Sequence, residues 1–236
     1  MKKTDWLVIL IILVILVPFF IPALPFGRTF LDLTNNHPFM MAFAKFAILS
    51  TFGEMLALRI RKGVWNEKGF GVLPRMMVWG FLGMAIAMAM MIFKVGVPVF
   101  LDACFKAEPG TMGALLKGAD LTLGKVGVAF AVSVTMNTIF APVMMLFHKC
   151  TDIHIAENGG TVAGLLKPLK MKEIISKKVN WETQWGVVYK KTIPLFWFPA
   201  HTITFCLPGV FQVLFAAALG IALGLILALA GNSSKK

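Results

Sequence analysis

The chain has 236 residues, 58% of them hydrophobic and 14% charged, with a mean hydropathy of +0.81. A soluble domain carries about 25% charged residues to cover its core, and a disordered chain is far less apolar, so both classes are excluded. Three Cys are too few for a disulfide scaffold, and the net charge of +12 sits between apolar runs, where membrane proteins carry topology charges. No nucleic-acid partner is expected.

The expected fold class is therefore all-α: a multi-pass transmembrane bundle of about six helices in one integral membrane domain. A crossing needs about 20 apolar residues. The first uncharged run has 22 residues, between Asp5 and Arg28, and predicts a span over 6–25. It is longer than a usual signal-peptide core, and Pro22 and Pro25 stand where a cleavage site would be, so a retained anchor is expected. His37-Pro38 opens a second span, 38–59, which carries Lys45 and Glu54. The third, 75–97, has Pro74 at its start, where a missing N–H costs nothing. A run of 23 residues between Lys125 and Lys149 predicts the fourth span, 124–147. The 43 residues between Lys191 and Lys235 are about twice one crossing. Leu207-Pro208-Gly209 divides them into spans at 184–206 and 209–230.

Basic residues set orientation. The N-terminus, the second and fourth loops and the tail hold 15 Lys and Arg, against 5 on the alternate side. Both termini are thus expected on the cytoplasmic or matrix side. The inner loop, 148–183, is the most basic. Its 162–179 segment interleaves Leu, Ile and Met with Lys167, Lys170, Lys172, Lys177 and Lys178. It reads either as an interfacial helix on anionic lipid or as a solvated connector.

Signatures of chemistry are few. No phosphate loop, dinucleotide fingerprint, HExxH or nucleophile elbow occurs. His148, Cys150 and His154 form a short cluster without the fourth ligand that structural zinc requires. No enzyme, catalytic residue, cofactor or metal is expected.

Polar residues inside the spans carry the most information, because burying them unpaired is costly. Ser50, Thr51 and Glu54 share a face of the second span. Lys45 lies nine positions earlier, half a turn out of phase. Glu54 therefore needs a partner from another helix, and Arg75 and Lys191 are the candidates at its depth. Ala129, Ser133, Asn137 and Ala141 form a stripe on the fourth span. His201 and Thr204 lie on the fifth, and Ala216, Gly220 and Gly224 on the sixth. Such stripes either pack helices closely or line a water-filled path. The path would run along Glu54, Lys45, Ser133, Asn137, His201 and Thr204.

The block from Trp181 through Phe198-Pro199, Thr204-Phe205 and Leu207-Pro208 resembles the Mpv-seventeen / peroxisomal-membrane-protein-twenty-two family. His37-Pro38, Gly53-Glu54, Arg75, Gly83 and Asp120 look like further counterparts, in the family's order. Gln212 stands where that family has Arg, and Leu121 replaces its Gln. The similarity covers about residues 37–215 and describes a remote member with an extra N-terminal helix. It implies a small multi-pass membrane protein for which a channel role has been proposed. Function is accordingly expected to be channel-like or transport of small solutes, with a non-transporting structural or assembly protein as the alternative. The expected location is a prokaryotic cytoplasmic membrane or an organelle inner membrane. Expected partners are the bilayer, anionic lipid at 162–179, and a second copy of the chain.

The orientation is testable. In intact cells, Cys104 should react with a membrane-impermeant maleimide added from outside. Labelling of Cys104 only after permeabilisation would reverse the topology.

Overall fold

A computed structural model describes residues 24–233, with side chains as far as Gly224. The predicted first span, except Leu24 and Pro25, lies outside the described residues, as do Lys2, Lys3, Lys235 and Lys236. All regular structure among the described residues is helical.

The chain divides into two units, one up to Met41 and one from Ala42. In the first, α1 (Pro25–Asn36) begins with Pro in its first turn and places a helix where the sequence predicts a loop. The Thr29 hydroxyl donates to Pro25 O at 3.1 Å. The backbone then turns at His37, and α2 (Pro38–Lys62) begins.

In the second unit, α3 (Val72–Phe105) has 34 residues, against the predicted 75–97. At 1.5 Å per residue it is about 50 Å long, well beyond a hydrocarbon core of about 30 Å. It continues through Pro98 and ends at Lys106, whose φ of 52° reverses the chain. Asp102 fixes that turn: its carboxylate accepts from the N–H groups of Gly110 at 2.8 Å and Met112 at 2.9 Å. The short α4 (Thr111–Lys117) follows.

The predicted single span 124–147 is two helices, α5 (Leu123–Ile139) and α6 (Ala141–Glu157), bent by 46°. The cause is Pro142 in the first turn of α6, which has no N–H for the preceding helix and crowds it. Tyr189 donates to Pro142 O at 2.9 Å, tying a later segment to the start of α6. Because α6 extends to Glu157, the first ten residues of the predicted inner loop 148–183 are helical.

The rest of that segment folds back on α6. It contains α7 (Val162–Leu165), α8 (Met171–Glu173) and a π-helical turn, Ile174–Lys178. Ile174 and Val179 are buried with Cys150, and Leu146, Ile153, Leu169 and Met171 pack around them. Lys178 bridges Glu157 at 2.8 Å and Glu173 at 3.0 Å. Hydrogen bonds to these two carboxylates hold its ammonium above the ordinary lysine pKa. Part of the apolar face predicted to meet lipid is therefore spent on α6. Cys150 is fully buried, so labelling reports the membrane side only at exposed Cys104.

The predicted fifth span, 184–206, is also interrupted. After α9 (Trp181–Thr183), a π-helix, Gln184–Trp197, carries Pro194 and passes into α10 (Phe198–Cys206). Finally α11 runs over Gly209–Ser233. By length and apolarity α2 and α3 qualify to cross a membrane, and the α5–α6 pair makes a third crossing if it is one bent span. The predicted segment at 184–206 does not qualify, because it is a 14-residue π-helix followed by a nine-residue α-helix, neither long enough to cross alone.

Small residues set the helix contacts. A Cβ on Gly83 would lie 2.5 Å from that of Phe46, and one on Gly80 would strike the Phe43 ring, so α3 approaches α2 through these glycines. Further along the same stripe of α2, a Cβ on Gly53 would lie 3.0 Å from Ile221 Cα. One on Gly224 would lie 3.1 Å from Gly53 O, and one on Gly220 would lie 3.4 Å from Ser50 Oγ. Close backbone contact of this kind stabilises helix pairs where the hydrophobic effect gives none. Gly224→Leu should force α2 and α11 apart and destabilise the protein by about 1–3 kcal/mol. Thermal unfolding in detergent measures this, and an unchanged midpoint would show that α11 does not need the contact.

Candidate functional site

The site begins with a short connection. Nine residues, 63–71, join α2 to α3 and bring the end of one beside the start of the other. Gly69 and Gly71 have φ of 87° and 73°, and Gly160, after α6, has 69°. A Cβ on Gly71 would lie 2.7 Å from Ile155 Cγ2, and one on Gly160 would lie 2.8 Å from the Gly69 carbonyl carbon. Only glycine combines this left-handed backbone with such approach. The connection therefore seats against the end of α6, and three helix ends converge.

Glu54 lies two turns before the end of α2, Arg75 is in the first turn of α3, and His148 and Asp152 are one turn apart on α6. The Arg75 Nη1 group donates to both Glu54 Oε2 and Asp152 Oδ1. Its Nε donates to Phe70 O at 2.7 Å, and the guanidinium lies 4.5 Å over the Phe70 ring. His148 Nε2 stands 3.0 Å from Glu54 Oε1 and 3.6 Å from Asp152 Oδ1. Trp79 donates its Nε1–H to Glu54 Oε1 at 2.9 Å, and its ring tilts against the imidazole with centroids 4.3 Å apart. The side chains of Arg75, His148, Glu54 and Asp152 are 11%, 18%, 20% and 22% exposed, so the cluster is sheltered but reachable.

Electrostatics explains why these groups gather. Two carboxylates taken from water need cations, and one guanidinium nitrogen here donates to both. One negative charge remains. His148, beside both carboxylates, either neutralises it with a proton or offers Nε2 as a ligand. The sequence reading did not select Asp152, and it grouped His148 with Cys150 and His154. Those three separate: Cys150 faces the Ile174 cluster, and His154 Nε2 lies 3.3 Å from Leu165 O. The usable signal was the i, i+4 spacing of His148 and Asp152, obscured because 148 was read as the start of a loop.

Of the two partners expected for Glu54, Arg75 is present and Lys191 is exposed on the π-helix. Lys45 is buried in α2. Ser133, Asn137 and Thr204 gather elsewhere, between α5 and α10. Ser133 donates to Phe198 O at 2.7 Å, Asn137 to Ser133 O at 2.8 Å, and Thr204 to Ala200 O at 2.9 Å. All three are buried; the Ser133 bond crosses from α5 to α10, and those of Asn137 and Thr204 lie within their own helices. His201 is buried and stacks on Trp197 at 5.1 Å. Gln212 accepts from Lys94 at 2.7 Å.

No protein-family model, curated protein or solved structure matches the chain.

Arg75→Ala should destabilise the protein by about 1–3 kcal/mol, below the range for fully buried pairs because the carboxylates are partly exposed. Glu54→Gln should cost less in the Arg75→Ala background than alone. Thermal unfolding of the four proteins tests this, and strict additivity would show that Glu54 and Arg75 are not coupled.

Proposed function

We propose that the protein is an integral membrane protein with a channel-like or transport role for small solutes, in which the Glu54 cluster favours cations or protons at the inner end. The observation that carries this reading is a reachable cluster of ionisable groups on α2, α3 and α6, two of which have the length and apolarity of membrane spans. Charge within such helices is expensive and is kept where it serves a pathway or a relay. The resemblance to the Mpv-seventeen / peroxisomal-membrane-protein-twenty-two family, through Gly53-Glu54 and Arg75, supports the same role. In this reading both termini lie on the cytoplasmic or matrix side of a prokaryotic cytoplasmic membrane or an organelle inner membrane. The exposed Lys167, Lys170, Lys172 and Lys177 rest on anionic lipid, and copies of the chain associate in the bilayer.

A non-transporting structural or assembly protein is the second reading. The burial of Ser133, Asn137 and Thr204 favours it, since these polar side chains are spent on backbone carbonyls.

Flux through liposomes containing the pure protein separates the two. Transport predicts cation or proton flux above protein-free vesicles, with selectivity altered in Glu54→Gln while insertion and folding persist. Absence of flux for ions and small neutral solutes alike would leave the structural reading.

A further inference from the structure

Glu54, His148 and Asp152 each present one ligand-type atom, and the three atoms lie within 4.8 Å of one another. We propose that these residues form a binding site for a divalent transition-metal ion, Zn2+ fitting best, held by Glu54 Oε1, His148 Nε2 and an Asp152 carboxylate oxygen.

Spacing supports this. Ligands about 2.0–2.1 Å from a tetrahedral zinc stand about 3.3 Å from each other. The imidazole nitrogen is 3.0 Å from Glu54 Oε1 and 3.6 Å from Asp152 Oδ1, on either side of that separation. The two carboxylate oxygens stand within 4.8 Å of each other and must draw together to close around an ion. Neutral imidazole with carboxylates suits a borderline divalent metal better than Mg2+ or Ca2+, which favour oxygen alone. Three protein ligands leave one position for water or solute.

The surroundings act as supports for the ligands. Arg75 holds Glu54 by its other oxygen, Oε2, so Oε1 stays turned toward His148. It grips Asp152 as well, fixing the two carboxylates relative to each other. Trp79 orients Glu54 Oε1 by its N–H and the imidazole by its ring. Such outer contacts aim ligands and raise affinity.

Charge and protons balance. With His148 protonated, two carboxylates, one guanidinium and one imidazolium sum to zero. The metal displaces the imidazolium proton to solvent and binds the freed Nε2, leaving a net charge of +1. Binding therefore competes with protons and weakens as pH falls.

The inference does not rest on transport, since an ion can be held there without crossing the membrane. The experiment is titration of the full-length, metal-stripped protein in detergent with Co2+, followed by its visible absorption bands. The expected result is saturation near one ion per chain, displacement by Zn2+, and weaker binding at lower pH. Glu54→Gln and Asp152→Asn, which preserve shape, should each weaken binding at least 10-fold, as should His148→Ala. Arg75→Lys should weaken it about 10–100-fold through lost orientation. His37→Ala, at an exposed histidine that is not one of the three ligands, should change nothing. Gel filtration and thermal melting establish which variants are folded. The proposal is overturned if the wild-type protein gives no saturable Co2+ bands. It is equally overturned if folded Glu54→Gln and Asp152→Asn bind as tightly as wild type, or if His37→Ala removes binding.

Discussion

The double grip of Arg75 on Glu54 and Asp152 is the constraint around which this end of the structure is arranged. A carboxylate moved from water into a helix bundle loses several kcal/mol of hydration unless a cation replaces it. Arginine suits the task because its fork is planar and remains charged in proteins. One guanidinium serving two carboxylates obliges α2, α3 and α6 to end together. That in turn requires a tight connection over 63–71, and it explains the left-handed glycines at 69, 71 and 160, where loop backbone meets loop backbone. His148 and Trp79 complete the cluster, and the imidazole is its one group able to exchange a proton for a metal at ordinary pH.

Away from that cluster, polar side chains mostly serve helix association. Ser133 reaches from α5 to the Phe198 carbonyl of α10, while the Asn137 amide bonds the Ser133 carbonyl within α5, and no charge is involved. Small residues on α2 do the same for α11 without hydrogen bonds, by allowing the backbones to meet at Gly53. In a bilayer this division is physically reasonable. Lipid gives helices no hydrophobic reason to associate, so close packing and shared hydrogen bonds must supply it. The charged cluster is therefore set apart both by its chemistry and by its partial exposure.

The basic segment after α6 combines two roles along one stretch of chain. Ile174 and Val179 point inward onto Cys150, while Lys167, Lys170, Lys172 and Lys177 remain exposed. Lys178 is held by Glu157 and Glu173 and acts as a tether. A segment docked in this way presents its lysines from a defined surface, which a flexible connector would not.

Sequence alone determined that the chain is helical and apolar enough for a membrane, because composition and run length depend on solvent transfer and not on packing. It also determined that Glu54 needs a cation from another helix, since Lys45 is out of phase on its own, and depth left Arg75 and Lys191 as the candidates. Tertiary structure decided the rest. Pro142 turned one predicted span into two helices, and the π-helix at 184–197 interrupted another; neither follows from hydropathy, which is blind to backbone hydrogen bonding. The stripe of Ser133 and Asn137 was visible, but whether it met water or a helix depended on where α10 lay. Asp152 and His148 could not be assigned from their own segment. Their role exists only because three distant helix ends meet, and long-range electrostatic pairing leaves no periodic trace in sequence.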